Sequence, residues 1–100
     1  MEKALQWSDE MRVLLKVHGF VQGVGYRDYV RRIAEHHNVK GYVKNLEDGS
    51  VEILADASEH ALKEFMKDIE VRTYHGPEVH HIESVEREAS GERLDSFSVL

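Results

Sequence analysis

One hundred residues suffice for a single domain with a two-layer core. Hydrophobic residues make up 41% and charged residues 32%, which excludes a disordered or fibrous chain. Thirteen Lys and Arg against nineteen Asp and Glu leave a net charge of −6, which argues against nucleic acid or anionic lipid as a partner. Cysteine is absent, so there is no disulfide framework, no thiolate metal site and no cysteine nucleophile. No apolar run approaches the ~18 residues of a membrane span and no leader pattern opens the chain, so a cytoplasmic protein is expected.

Residues 1–11 (MEKALQWSDEM) show no sustained period. They read as an N-terminal extension, either a frayed arm or a short helix docked through Leu5 and Trp7, ahead of a domain over 12–100. In "RVLLKVH" Val13, Leu15 and Val17 alternate with Arg12, Leu14, Lys16 and His18, the pattern of a half-buried strand. After a glycine-rich stretch, Tyr26, Tyr29, Val30, Ile33, Ala34 and His37 fall on one face of a helix. "KGYVKNLEDGSVEILA" reads as a hairpin, because two alternating runs flank Asp48-Gly49, a strong turn signal. Residues 58–70 put Ala61, Leu62, Phe65, Met66 and Ile69 on a second helix face. Its N-cap is either Asp56, completing a capping box with Glu59, or Ser58.

"HGP" at 75–77 marks a turn. In the run that follows, Val79, Ile82 and Val85 cannot all face one way in a regular strand, so a bulge or kink is expected. "SFSVL" closes the chain with Phe97 and Val99 on one side, a short extra strand. The order β-α-β-β-α-β suits an α+β ferredoxin-like sandwich, an antiparallel sheet with two helices on one face.

The loop between the first strand and the first helix, "VHGFVQGVGYR", holds Gly19, Gly23 and Gly25 and ends on Arg27. Such a loop gathers unpaired N–H groups at the positive end of a helix dipole. Glycines let the backbone curl round an anion, most often phosphate, and Arg27 adds a fork of charged donors. Glycines alone would equally serve a plain connection; the arginine favours the anion site. Walker A is excluded because no Gly-Lys pair occurs, and G-x-G-x-x-G fails because Asp28 stands at the last position.

In a right-handed β-α-β crossover the first two strands are parallel, so their C-terminal ends share one edge of the sheet. The second strand ends near Asn45, which is therefore placed at the edge of Arg27. Asparagine before a hairpin turn is ordinary; here its amide could also orient a water without being ionised.

These two stretches resemble the signatures of the acylphosphatase family. "GFVQGVGYR" (19–27) is similar to the first, and "GYVKNLEDGSV" (41–51) to the second; the likeness runs over about 12–100. The resemblance implies a ferredoxin-like sandwich that hydrolyses a small acyl phosphate to carboxylate and inorganic phosphate, with no metal or organic cofactor. It implies Arg27 as the phosphate-binding residue and Asn45 as the water-orienting one. The phosphate cradle would be the backbone of Phe20, Val21, Gln22, Gly23, Val24, Gly25 and Tyr26. Two positions depart from the pattern. Tyr26 stands where phenylalanine or methionine is usual, bringing a hydroxyl that needs a partner. Ala57 stands where glycine is common, which matters if the position requires φ > 0.

Seven histidines offer an alternative metal chemistry. The pairs His36-His37 and His80-His81 point in different directions as neighbours, and no two histidines are spaced i, i+4. Two further classes compete with the enzyme: a non-catalytic acyl- or carbamoyl-phosphate-binding or protein-interaction module, and an RNA binder. Lys40-Gly41-Tyr42 begins like an RNA-recognition signature, but Val43 and Lys44 break it. The length favours a free-standing enzyme, and a monomer is expected, since nothing in the sequence forces an edge strand to pair with another copy.

Overall fold

The computed structural model describes residues 10–88 and 94–100. The expected extension lies outside the described residues over 1–9. Met11, assigned to it from sequence, is the first residue of β1 and pairs with Ala57.

Among the described residues seven elements follow one another: β1 (Met11–Phe20), α1 (Tyr26–His36), β2 (Lys40–Asn45), β3 (Val51–Ala57), α2 (Glu59–Ile69), β4 (Glu78–Glu88) and β5 (Phe97–Val99). The strands form one sheet in the order β4-β1-β3-β2-β5. The ferredoxin-like arrangement of four antiparallel-paired strands is as expected. β5 is added parallel to β2, with Gly41 opposite Phe97, so the five-stranded sheet is mixed.

Alternation places the core. Val13, Leu15 and Val17 of β1 and Val51, Ile53 and Ala55 of β3 are buried, together with Val30 and Ala34 of α1 and Leu62, Phe65 and Ile69 of α2. Phe97 of β5 closes this core beside Phe65, their ring centroids 6.2 Å apart. On the other face of the sheet Glu83, Lys16, Glu52 and Lys44 stand in one cross-strand row of alternating charge.

The helix ends are closed by specific bonds. α1 stops in a Schellman arrangement, with Asn38 left-handed (φ 61) and the Val39 N–H on the Ala34 carbonyl at 2.8 Å. α2 starts at Ser58, whose hydroxyl accepts the Ala61 N–H at 3.2 Å. The alternative cap, Asp56, sits instead within β3 and takes the Arg12 guanidinium at 2.7 Å, a strong cross-strand bond that competes with capping. At the far end of α2, the Tyr26 and Tyr29 hydroxyls of α1 donate to the Ile69 and Asp68 carbonyls at 2.8 and 2.9 Å. They supply partners that the last helical turn lacks.

β4 carries the expected bulge. His18 faces His81 but Gly19 faces Val79, which leaves His80 surplus. The extra residue turns Val79 into the core while Val85 remains 57% exposed. Among the described residues no helix is long and apolar enough to cross a membrane.

Candidate active site

β1 and β2 both pair antiparallel with β3, so they are parallel to each other and end at one edge of the sheet. Two glycines shape the backbone between β1 and α1. Gly23 (φ 76) and Gly25 (φ 81) are left-handed, where a side chain would be strained. Gly25 is also the N-cap of α1 and contributes no side-chain bond to it. The first N–H groups of the helix therefore remain available to a guest at the loop, and the helix dipole favours an anion there.

The residues named for the cradle divide into distinct roles. Phe20 still belongs to β1, in register with Glu78, so the loop proper begins at Val21. Val21 and Tyr26 bury their side chains in the core and leave only backbone to the loop. Gly23, Val24 and Gly25 are exposed. The Tyr26 hydroxyl finds its partner at Ile69, and burial pushes it well above the ordinary tyrosine value, with Tyr29 and Glu70 adding smaller effects. Tyr26 is thus accommodated without entering the site. Ala57 ends β3 without a positive φ, so alanine carries no backbone strain there.

Arg27 occupies the first turn of α1. Its Nη1 donates to the main-chain oxygen of Leu100 at 2.6 Å, and the Leu100 N–H in turn donates to the Val43 carbonyl at 2.9 Å. The guanidinium is thereby held against the C-terminal half of β2. It has five N–H donors, so the bond to Leu100 leaves others for an anion. Among the described residues no Asp or Glu side chain pairs with Arg27. Asp28, its neighbour, is taken by Arg31 at 2.8 Å and Arg32 at 3.3 Å, and the Arg31 hydrogen bond holds its carboxyl below the usual range.

Asn45 ends β2, exposed, and among the described residues no side chain or backbone group hydrogen-bonds its amide. The turn that follows it is firmly built. The Ser50 hydroxyl and N–H both donate to Asp48 Oδ1, and Lys16 Nζ lies 2.9 Å from Asp48 Oδ2. These donors, Ser50 first, hold the Asp48 carboxyl well below the ordinary carboxylate range.

Gln22 joins the two halves. Its Nε2 donates to the Leu46 and Ser50 carbonyls, both at 2.8 Å, tying the glycine loop to the turn beside Asn45. Sequence reasoning gave Gln22 only a backbone role and gave Leu100 none. The first was visible as a long amide inside the motif; the second acts through a carbonyl and leaves no signal.

Among the described residues no histidine side chain bonds Arg27 or Asn45. His37 bonds Asp68 at 2.7 Å, and His18 stacks on His81 with Glu83 at 3.1 Å from His18. Among the described residues no three His, Asp or Glu side chains are arranged to hold a metal.

Fold and edge together define a small α+β sandwich with a cationic, N–H-rich loop between two parallel strand ends. The acylphosphatase family pattern matches residues 13–99. An acylphosphatase of Pseudothermotoga lettingae is 39% identical over 88% of this chain and 96% of its own length. An acylphosphatase structure from Bacillus subtilis superposes with a TM-score of 0.80 at 36% identity, covering 90% of this chain and 98% of that one. The probable carbamoyltransferase HypF of Methanocaldococcus jannaschii is 38% identical across 91% of this chain, a match that takes in 12% of that longer protein. The chain belongs to the acylphosphatase family and is an enzyme of that kind.

Proposed function

We propose that this chain hydrolyses the carboxyl-phosphate bond of small acyl phosphates to carboxylate and inorganic phosphate, without metal or organic cofactor. One observation carries the reading. Arg27, behind a loop that turns through left-handed Gly23 and Gly25, shares a sheet edge with the Asn45 amide, which no group among the described residues hydrogen-bonds.

Phosphoryl transfer runs through a loose transition state, so catalysis is mostly positioning and charge stabilisation. Arg27 and the loop N–H groups bind the equatorial phosphoryl oxygens in the manner of an oxyanion hole. Asn45 holds a water in line with phosphorus, and a phosphoryl oxygen of the substrate accepts its proton. The bond from phosphorus to the carboxylate oxygen breaks with its electron pair staying on the carboxylate. That leaving group is weakly basic and departs unprotonated, so no general acid is needed. A phosphate monoester leaves as a far more basic alkoxide and is a poor substrate for the same groups.

A second reading rests on the match to one segment of HypF: a domain that binds an acyl or carbamoyl phosphate without hydrolysing it. Hydrolysis of benzoyl phosphate in EDTA separates the two. The enzyme reading expects turnover in chelator, a loss of about 10²-fold or more in Arg27→Ala and in Asn45→Ala, and little action on p-nitrophenyl phosphate. A folded wild type that binds inorganic phosphate but does not turn over benzoyl phosphate supports the binding module instead.

A further inference from the structure

Both helices pack on the face of the sheet that Val13, Val17 and Ile53 line. Among the described residues no helix covers the opposite face. There Val85, Leu14, Leu54 and Tyr42 stand in one cross-strand row. Val85 is exposed, and the other three are half-buried. Two residues along each strand lies the charged row of Glu83, Lys16, Glu52 and Lys44. Contiguous apolar side chains on an open sheet face mark a contact surface.

Charge decides what fits it. Within the chain Lys16 Nζ lies 2.9 Å from Asp48 and Lys44 Nζ 3.8 Å from Glu52, so the lysines of the row are not stranded. From β4 to β2 the signs of the row run negative, positive, negative, positive, and from β2 to β4 they run the other way. A two-fold axis parallel to the strands, passing between β1 and β3, lays β1 of one copy over β3 of the other and β4 over β2. Every position in the charged row then meets its opposite. Lys16 faces Glu52 of the second copy, and Glu83 faces Lys44. In the apolar row Leu14 meets Leu54 and Val85 meets Tyr42. Stacked sheets keep their strands within about 30° of each other, so the central pairs from β1 and β3 are held best. The chain as a whole carries a net charge of −6, which opposes association, whereas this row is neutral and lets two copies approach. We infer that this open sheet face is a self-association surface on which a second copy of the chain docks, in place of the monomer expected from the sequence. Arg27, on a helix of the opposite face, stays outside the contact, and both edge strands remain unused.

Four strands by six residues give about 400 Å² in projection, roughly half of the ~800 Å² a side of a standard interface. The dimer is accordingly weak, with a Kd on the order of 10–100 µM. Sedimentation velocity on the full chain from about 10 µM to about 1 mM spans that range and should show the mass doubling with concentration. Lys16→Glu and Glu52→Lys each set like charges together twice across the two-fold axis, so each should weaken association about tenfold. An equimolar mixture of the two restores both opposite-charge contacts and should return a heterodimer of wild-type strength, far-UV circular dichroism confirming that each variant is folded. Contacts within one chain cannot produce that rescue. Val85→Glu, at an exposed position, gives a second readout of weakened association should a row variant unfold. Wild type that stays monomeric at the highest concentration overturns the inference and leaves the face to another segment of the chain or a different protein. A dimer that the variants leave unchanged, or that the mixture fails to restore, overturns it as well.

Discussion

Replacing Gln22 with methionine keeps an unbranched side chain of similar length and deletes the two hydrogen bonds that hold the glycine loop to the β2–β3 turn. Two such bonds are worth about 1–3 kcal/mol net. The lower end applies, because neither carbonyl is orphaned. Leu46 still accepts the Gly49 N–H at 3.3 Å and Ser50 still accepts the Leu46 N–H at 2.9 Å. A loss of about 1 kcal/mol is expected, a fall in Tm of about 4–8 °C for a domain of this size. On the proposed mechanism activity should fall further than stability, since Gln22 bonds the glycine loop to the turn beside Asn45. The expected signature is a lower kcat on benzoyl phosphate with a nearly unchanged inhibition constant for inorganic phosphate. A double-mutant cycle with Asn45→Ala provides the decisive comparison. If Gln22 acts by positioning Asn45, its substitution costs little in the Asn45→Ala background. An equal loss of kcat in both backgrounds refutes the reasoning and reduces Gln22 to a stabilising contact.

Three further outcomes follow from other parts of the molecule. Tyr26→Phe removes a buried hydroxyl, but Ile69 keeps the Val71 N–H at 3.1 Å, so urea unfolding should register a loss of about 1 kcal/mol while turnover is retained. Gly19→Ala places a Cβ against the Glu78 carbonyl and the His80 nitrogen at positive φ. It should cost about 2 kcal/mol or more in the same assay, whereas alanine at Ser84, on the exposed part of β4, should stay within about 0.5 kcal/mol. Asp48 sets an acid dependence. Its folded carboxyl is depressed chiefly by Ser50 and then by Lys16, so its stabilisation is present above the unfolded value of about 4 and fades as pH falls below it. The Tm gap between wild type and Asp48→Asn should therefore be largest near neutrality and shrink on acidification; a gap independent of pH would contradict that assignment.

The local periods of the chain carry most of the architecture. Alternation in Val13, Leu15 and Val17, and the helical spacing of Tyr26, Val30 and Ala34, depend only on neighbours in sequence, so element type and order could be read without knowing the fold. The same holds for the turn at Asp48-Gly49 and for the irregularity of β4, expected as a bulge or a kink because Ile82 does not fit the two-residue period of Val79 and Val85. Gly23, Gly25 and Arg27 could be read as one candidate site because turn glycines, helix terminus and charge are contiguous. Topology then brought Asn45 to the same edge through a general rule of handedness.

Partners distant in sequence were decided only by packing. Asp56 had the composition of a cap, yet strand pairing set it opposite Arg12, where an ion pair was available and Ser58 could cap in its place. Tyr26 reaches Ile69 across 43 positions, Gln22 reaches Leu46 across 24, and Arg27 reaches Leu100 across 73. Nothing in a local pattern records such bonds, and two of the three acceptors are exposed by the ends of α2 and the β2–β3 turn. The sequence by itself determined which elements form and where the glycine-rich loop lies. The tertiary structure decided what holds that loop in place, because a carbonyl becomes a partner only when another segment is folded against it.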